Sequence, residues 1–330
     1  MYAKRRDILG RMLAFAVAAV ALPFSANAQA PAGYPNKPIR FVVPYAPGGL
    51  PDTVARIVAQ RLGERLGQPV IVDNRPGGNG SVAAGALTSA PADGYQFLVT
   101  DGSMFSINPG IYSKLSYDAN KDFVPVALIA RAPLFLAAHR NVPVADLKEL
   151  LDYVKLRPGQ VNYGSSGIGS THHLTMEALK AELGINLVHV PFKGSGQSVP
   201  ALIGGQVEVL WSAYPSLAGF VKDGRVKLIA TNGTQRSPQA PSAPAIAEII
   251  SGFDFAPIVG VLASAGTPKG IVDKISAEVV AVTKMADTQQ ALAAAGIEPV
   301  AGDSAEYGKA IAGENARMAK AIQAAGLKRE

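Results

Sequence analysis

The strongest constraint in this chain is a repeated alternation. Short β-branched runs closed by glycine or proline are followed by stretches with apolar residues at helical spacing. Ile39-Arg40-Phe41-Val42-Val43 predicts a strand that Pro44 ends. Gly48-Gly49 then mark a loop, Pro51 suits a first helical position, and Val54, Val58, Leu62 and Leu66 recur at every fourth residue. A strand at Val70–Val72, a glycine loop at Pro76–Gly80, a small-residue helix from Ser81 and a strand at Gln96–Thr100 follow. The second half repeats the plan: a helix around Ala145–Leu156, a strand at Val161–Gly164, the loop Ser165–Ser170, a helix at Thr171–Leu183 and a strand at Leu187–Val190. Gly194–Gln197 opens another helix, Val207–Trp211 and Val226–Ala230 read as strands, and two Ala-rich helices finish the chain. Such alternation predicts an α/β fold with parallel sheets.

Two apolar stretches are too long for this rhythm. Val124–Ala138, interrupted by Pro133, reads either as two strands or as one bent strand passing between domains, and Phe253–Ala263 reads as the return. The crossings predict two α/β domains joined by a hinge, residues 29–130 with 255–330 and residues 131–254. With 48% hydrophobic residues in a chain of 330, there is enough apolar material for two cores. The chain has no Cys and four His, which excludes a disulfide scaffold and a thiol nucleophile and makes an all-protein metal centre hard to assemble.

Residues 1–28 stand apart. Lys4, Arg5, Arg6 and Arg11 precede the apolar run Met12–Leu22, Pro23 breaks it, and Ala26 and Ala28 fit a signal-peptidase site. The run is shorter than the roughly 20 residues a bilayer demands. The expected product is a soluble periplasmic protein beginning near Gln29, exported by either the Sec or the twin-arginine route. Without the leader the formal charge falls from +6 to +3, 27 Lys and Arg against 24 Asp and Glu. No basic patch with interleaved aromatics remains, so nucleic acid is not an expected partner.

Two loops carry the chemistry. Tyr45-Ala46-Pro47-Gly48-Gly49-Leu50-Pro51-Asp52 joins the carboxyl end of a strand to a helix start, and Ser165-Ser166-Gly167-Ile168-Gly169-Ser170-Thr171-His172 does the same in the second half. Helix N-termini leave N–H groups unpaired and carry partial positive charge, so each loop is suited to an anion. Facing one cleft, they would clamp a ligand with an anionic group at each end; otherwise they are ordinary glycine turns with Ser/Thr caps.

The chain resembles, along nearly its whole mature length, the periplasmic solute-binding proteins of tripartite tricarboxylate transporters (Bug/TctC-like). The matching runs include Tyr34-Pro35-Asn36-Lys37-Pro38-Ile39-Arg40, Val43-Pro44-Tyr45-Ala46-Pro47-Gly48-Gly49 with Asp52, and Val72-Asp73-Asn74-Arg75-Pro76-Gly77. Ala92-Asp93-Gly94-Tyr95, Asn162-Tyr163-Gly164-Ser165, Val190-Pro191-Phe192-Lys193-Gly194 and Gly266-Thr267-Pro268 extend the match. The resemblance implies a two-domain Venus-flytrap fold of the type II periplasmic class, ligand binding between the domains, delivery to integral-membrane permease subunits, and no catalysis; a monomer without a cofactor is expected. It makes Tyr45–Asp52 the first ligand loop and Ser165–His172 its partner. Leu50, where many relatives carry a small polar residue, and Trp211-Ser212-Ala213-Tyr214, where many carry an acid or amide, argue against an amino-acid ligand, whose buried ammonium would need a carboxylate.

Phe105, Phe192, Trp211 and Tyr214 lie on segments that could reach the cleft, and aromatic faces suit an aromatic ligand. Trp211 serves equally as core filler. Arg131 either forks to a ligand carboxylate or makes a salt bridge at the hinge. His172 either donates to the ligand or faces solvent in a capping turn. The expected ligand is a carboxylate with an apolar, aromatic body, such as terephthalate, with an aliphatic di- or tricarboxylate as the alternative.

Other chemistries fit less well. Gly78-Asn79-Gly80-Ser81-Val82-Ala83, with Asp101 about twenty residues on, imitates a dinucleotide fingerprint, but Asp73–Gly77 lengthen its loop and a tight packing turn accounts for it. Gly164-Ser165-Ser166-Gly167-Ile168 lacks the last glycine of a serine-hydrolase elbow. His173 and Glu177 share a helix face but make only two metal ligands. A sensory module that docks on a membrane receptor would read the same in sequence.

Overall fold

The computed structural model describes residues 30–329, so the leader reading lies outside them. Strand β1 (Ile39–Val43) leads into α1 (Leu50–Leu66), β2 (Val70–Asn74), α2 (Ser81–Thr88) and β3 (Gln96–Asp101). After the short α3 (Asn108–Ile111), β4 (Phe123–Arg131) passes almost directly into β5 (Leu134–His139). Next come α4 (Leu147–Lys155), β6 (Asn162–Ser165), α5 (Thr171–Leu183), β7 (Val188–Pro191) and α6 (Ser195–Ile203). The second half continues through β8 (Val209–Ala213), α7 (Tyr214–Lys222) and β9 (Val226–Thr231). The chain closes with β10 (Ile258–Ser264), α8 (Lys269–Thr283), α9 (Ala286–Ala294), β11 (Glu298–Gly302) and α10 (Ser304–Ala324).

Among the described residues the strands form two sheets, ordered β11-β4-β10-β3-β1-β2 and β7-β6-β8-β5-β9. Val124–Ala138 is therefore two strands, one in each sheet. The sheets are mixed, which corrects the expectation of parallel ones. Strands β1, β2 and β3 are parallel, as are β6, β7 and β8, but β10 runs antiparallel to β3 and β4, and β5 runs antiparallel to β8 and β9. The cause is the crossing itself: β4 leaves the first sheet and β10 returns to it, so neighbours at the exit point in opposite directions. Three helices, not two, end the chain, and α7 and β11 were not anticipated.

Both faces of the first sheet are covered. Ile39, Phe41 and Val43 face a core shared with Val54, Val58 and Leu62 of α1, while Val42 joins Leu98, Leu262 and Tyr307 on the other face. The second core gathers Leu136, Tyr163, Leu174 and Trp211, and Met318, Ala321 and Ile322 of α10 complete it. Helix α10 thus starts against the first sheet and ends against the second core.

One buried residue stitches the crossings together. The Asn232 carboxamide accepts from Leu134 N at 2.7 Å and donates to Phe255 O at 2.8 Å, while its backbone bonds both segments at 3.0 Å. Ala132 N reaches Pro257 O at 2.9 Å. A buried backbone group without a partner costs about 1–3 kcal/mol. Asn232→Ala strands one donor and one acceptor, and we expect it to lower stability by about 2–4 kcal/mol in urea unfolding with an unchanged denaturant slope.

Candidate functional site

The first loop leaves β1 and enters α1 through Gly49, whose N-cap position carries no side-chain cap, and Pro51 in the first turn brings no N–H of its own. Gly48 sits at φ +86°, a conformation that costs a glycine nothing. Asp52 shapes the turn from below. It is 2% exposed and accepts from Gly48 N at 2.8 Å, Asn74 Nδ2 at 2.8 Å and Arg56 Nε at 3.0 Å. Asn74 also donates to Tyr45 O at 3.0 Å and accepts from Arg56 at 2.9 Å. Burial alone would raise the Asp52 carboxyl, yet the bonds from Arg56, Gly48 and Asn74 outweigh it and hold the group below its ordinary value. Asp52 is thereby committed to the loop's own backbone. Pro47 and Gly48 are exposed, whereas Tyr45, Gly49 and Leu50 are half-buried. The Tyr45 hydroxyl donates to Asp101 at 2.7 Å, and burial followed by the Asp101 charge pushes the phenol well up.

The second loop follows β6. Ser170 caps α5, accepting from His173 N at 3.3 Å and donating to Gly167 O at 2.7 Å. Ser165 Oγ accepts from Gly167 N at 3.1 Å, and Ser166 Oγ lies 3.0 Å from Ser195 Oγ. Thr171 and His172, in the first turn, are partly exposed. Burial holds the His172 imidazole down at about 4, so the ring is neutral at neutral pH. Ile168 projects from the loop at 68% exposure. On its other side the loop approaches α3: a Cβ on Gly169 would lie 2.8 Å from Ile111 Cδ1.

The remaining candidates divide. Phe105 is 5% exposed and packs edge-to-face on Phe123 at 5.9 Å, and Trp211 is fully buried in the second core. Both serve as core, Phe105 on the π-helical segment Ser103–Ile107 and Trp211 on β8, and neither presents a face to solvent. Phe192 and Tyr214 stay half-buried, Tyr214 lying against Phe135 at 5.6 Å. Arg131 forks onto Asp254 at 2.9 and 2.8 Å, with Arg317 joining at 3.4 Å, so of its two readings the hinge salt bridge is the one formed. Asn74, Asp101, His173 and His189 were missed as loop supports. The pairing of Val43 with Asn74 across β1 and β2 is the step that brings Asn74 under the loop.

The competing motifs resolve as packing. Gly80 sits at φ +89° where a Cβ would lie 2.7 Å from Met104 Sδ, and Asp101 is engaged by Tyr45. Among the described residues no three His, Asp or Glu side chains gather as a metal cluster, and no helix is long and apolar enough to cross a membrane.

The sequence model of the family described as "Tripartite tricarboxylate transporter family receptor" matches residues 54–327. The chain belongs to that family. This receptor is 31% identical over 315 residues to the protein BugT of Bordetella pertussis, covering 95% of each chain. Its fold is similar to that of R. palustris Rpa4515, solved with adipate: TM-score 0.77, 32% identity, 90% of this chain and 100% of that one. It is also similar to MatC of Rhodopseudomonas palustris, solved with bound malate: TM-score 0.70, 29% identity, 88% and 100% covered. The family is one of periplasmic solute receptors rather than enzymes, and its two-domain α/β fold is the one seen here.

Asp52→Ala strands three donors under the first loop, and we expect a loss of about 3 kcal/mol in urea unfolding at pH 7. A second expectation concerns Glu314, buried beside Gly102 with its carboxyl pushed up to about 8 by burial first and Asp101 second. A carboxyl raised on folding favours the folded state while protonated, so stability falls as pH rises from about 4.5, where the unfolded group titrates, to about 8. Glu314→Gln removes that titration, and its unfolding free energy should lack the decline between those values.

Proposed function

We propose that this receptor captures a dicarboxylate with an apolar body between units 29–130 with 255–330 and 131–254, and delivers it as a monomer to membrane permease subunits. The observation that carries this reading is the pairing of two glycine loops, at the carboxyl ends of β1 and β6, each opening a helix by its N-terminus on a different sheet. Rpa4515 with adipate and MatC with malate supply the ligand class. Half-buried Leu50 and exposed Ile168 add apolar surface to the two loops. Burial of Phe105 and Trp211 leaves Phe192 and Tyr214 as the aromatic candidates, so an aliphatic chain of adipate type is the first expectation and terephthalate the second.

The decisive experiment is a thermal-shift screen of residues 29–330 at neutral pH with adipate, malate, succinate, citrate, glutamate, benzoate and terephthalate. A ligand at one hundred times its Kd stabilises by about 2.7 kcal/mol, a clear rise in Tm. We expect a shift with adipate or terephthalate and none with glutamate. A shift with glutamate alone overturns the apolar-body reading, and no shift with any carboxylate overturns the ligand class.

A further inference from the structure

Three rings stack beneath the second loop. Tyr163 of β6 and His189 of β7 are register partners with centroids 4.8 Å apart, and His173 of α5 stacks on His189 at 4.0 Å, tilted by only 10°, and lies 6.4 Å from Tyr163. Both imidazoles reach upward to the loop. Gly169 N donates to His173 Nδ1 at 3.1 Å, which requires Nδ1 to carry no proton. Ser165 Oγ lies 2.6 Å from His189 Nε2 and already accepts from Gly167 N. Through these bonds the pair touches both glycines of the loop, Gly167 and Gly169, whose φ values of +124° and +75° set its shape.

We propose that His173 and His189 are positioning residues for ligand binding, a pair of neutral imidazoles that holds the second loop in its anion-accepting shape. This rests on the reading of Ser165–His172 as a ligand loop.

Burial keeps the pair neutral, and the charges around it act both ways. Glu177 Oε1 lies 4.0 Å from His173 Nε2, but that carboxylate is shared with Lys180 at 2.7 Å and with the Tyr163 hydroxyl, which donates to it. Burial pushes His189 down to about 4, with the His173 and Lys180 charges adding to it and Glu177 opposing. Burial also lowers His173, opposed by Glu177 and assisted by Lys180. A proton on His173 Nδ1 would face the Gly169 N–H, donor against donor, and a second proton on His189 would sit one ring away. Acid therefore undoes the clasp from below, whatever the ligand's own protonation.

The test uses the ligand-free protein first, then adipate as probe. Gly169 amide exchange, followed by NMR at pH 7, should be slow in the wild type and at least tenfold faster in His173→Ala. His173→Asn, whose Oδ1 stands in for Nδ1, should restore the protection. Protection in the wild type should fall as acid protonates His173, below its ordinary range, while amides of β6 stay protected. Adipate affinity should drop at least tenfold in His173→Ala and His189→Ala and return in His173→Asn and His189→Gln. Unchanged Gly169 exchange in His173→Ala, or Ala variants that bind adipate as the wild type does, overturns the proposal. If the wild type binds no carboxylate, the ligand reading fails on its own, and the exchange comparison still decides whether the imidazoles hold the loop.

Discussion

Everything else in this fold depends on the chain crossing between its sheets twice, once in each direction. An outgoing and a returning strand must lie antiparallel when they pair, which is why β4 meets β10 and β5 meets β9 in sheets whose triplets β1–β3 and β6–β8 are parallel. The backbone at the crossing cannot drop its hydrogen bonds where it is buried, and Asn232 supplies the two that neither sheet can reach. The connection is hydrogen-bonded at the crossing and packed beside it, where Met318, Ala321 and Ile322 of α10 complete the second core. It leaves the carboxyl ends of β1 and β6 free to carry loops on separate units.

Much of this was legible because strand–helix alternation depends only on local period. The helix Thr171–Leu183 and the fourfold spacing of Val54, Val58 and Leu62 lie where the pattern puts them. What failed to show depended on partners. Glu298-Pro299-Val300-Ala301-Gly302 is short and carries both Pro and Gly, and it is a strand only because β4 offers it an edge. Tyr214–Lys222 begins with Tyr-Pro directly after a strand and so hides its own start. Trp211 shows the same limit at the level of a side chain. In β8, Leu210 packs on one core and Val209 and Trp211 on the other, so alternation cannot say which side is wet. Arg131 could be assigned only once Asp254, over a hundred residues away, was seen to meet it.

The loops have one design in common: their polar side chains are spent on themselves. Asp52 serves Gly48, Ser170 serves Gly167 and His173 N, and the imidazole pair serves Gly169 and Ser165. Bonds of this kind fix a glycine-rich backbone that would otherwise be costly to order. What they leave outward is helix N-terminus and apolar side chain. On the proposed reading, affinity for an anion comes from prearranged N–H groups, and choice among anions comes from Leu50, Ile168, Phe192 and Tyr214.

The cations near the site bear on that division. Arg56 is bound to Asp52 and Asn74, and Arg131 and Arg317 both lean on Asp254. Glu314, with its carboxyl at about 8, keeps its proton at neutral pH, so it adds no second charge to Asp101 behind Tyr45. An ion pair with a ligand would require one of these arginines to abandon a bidentate or buried partner, at the cost of leaving a carboxylate unpaired. Helix N-termini hold charge without that exchange, since a backbone N–H that turns to a ligand leaves no carboxylate unpaired. A clamp built on them accepts carboxylates as a class, and the shape of the body between the carboxylates is left to distinguish one from another.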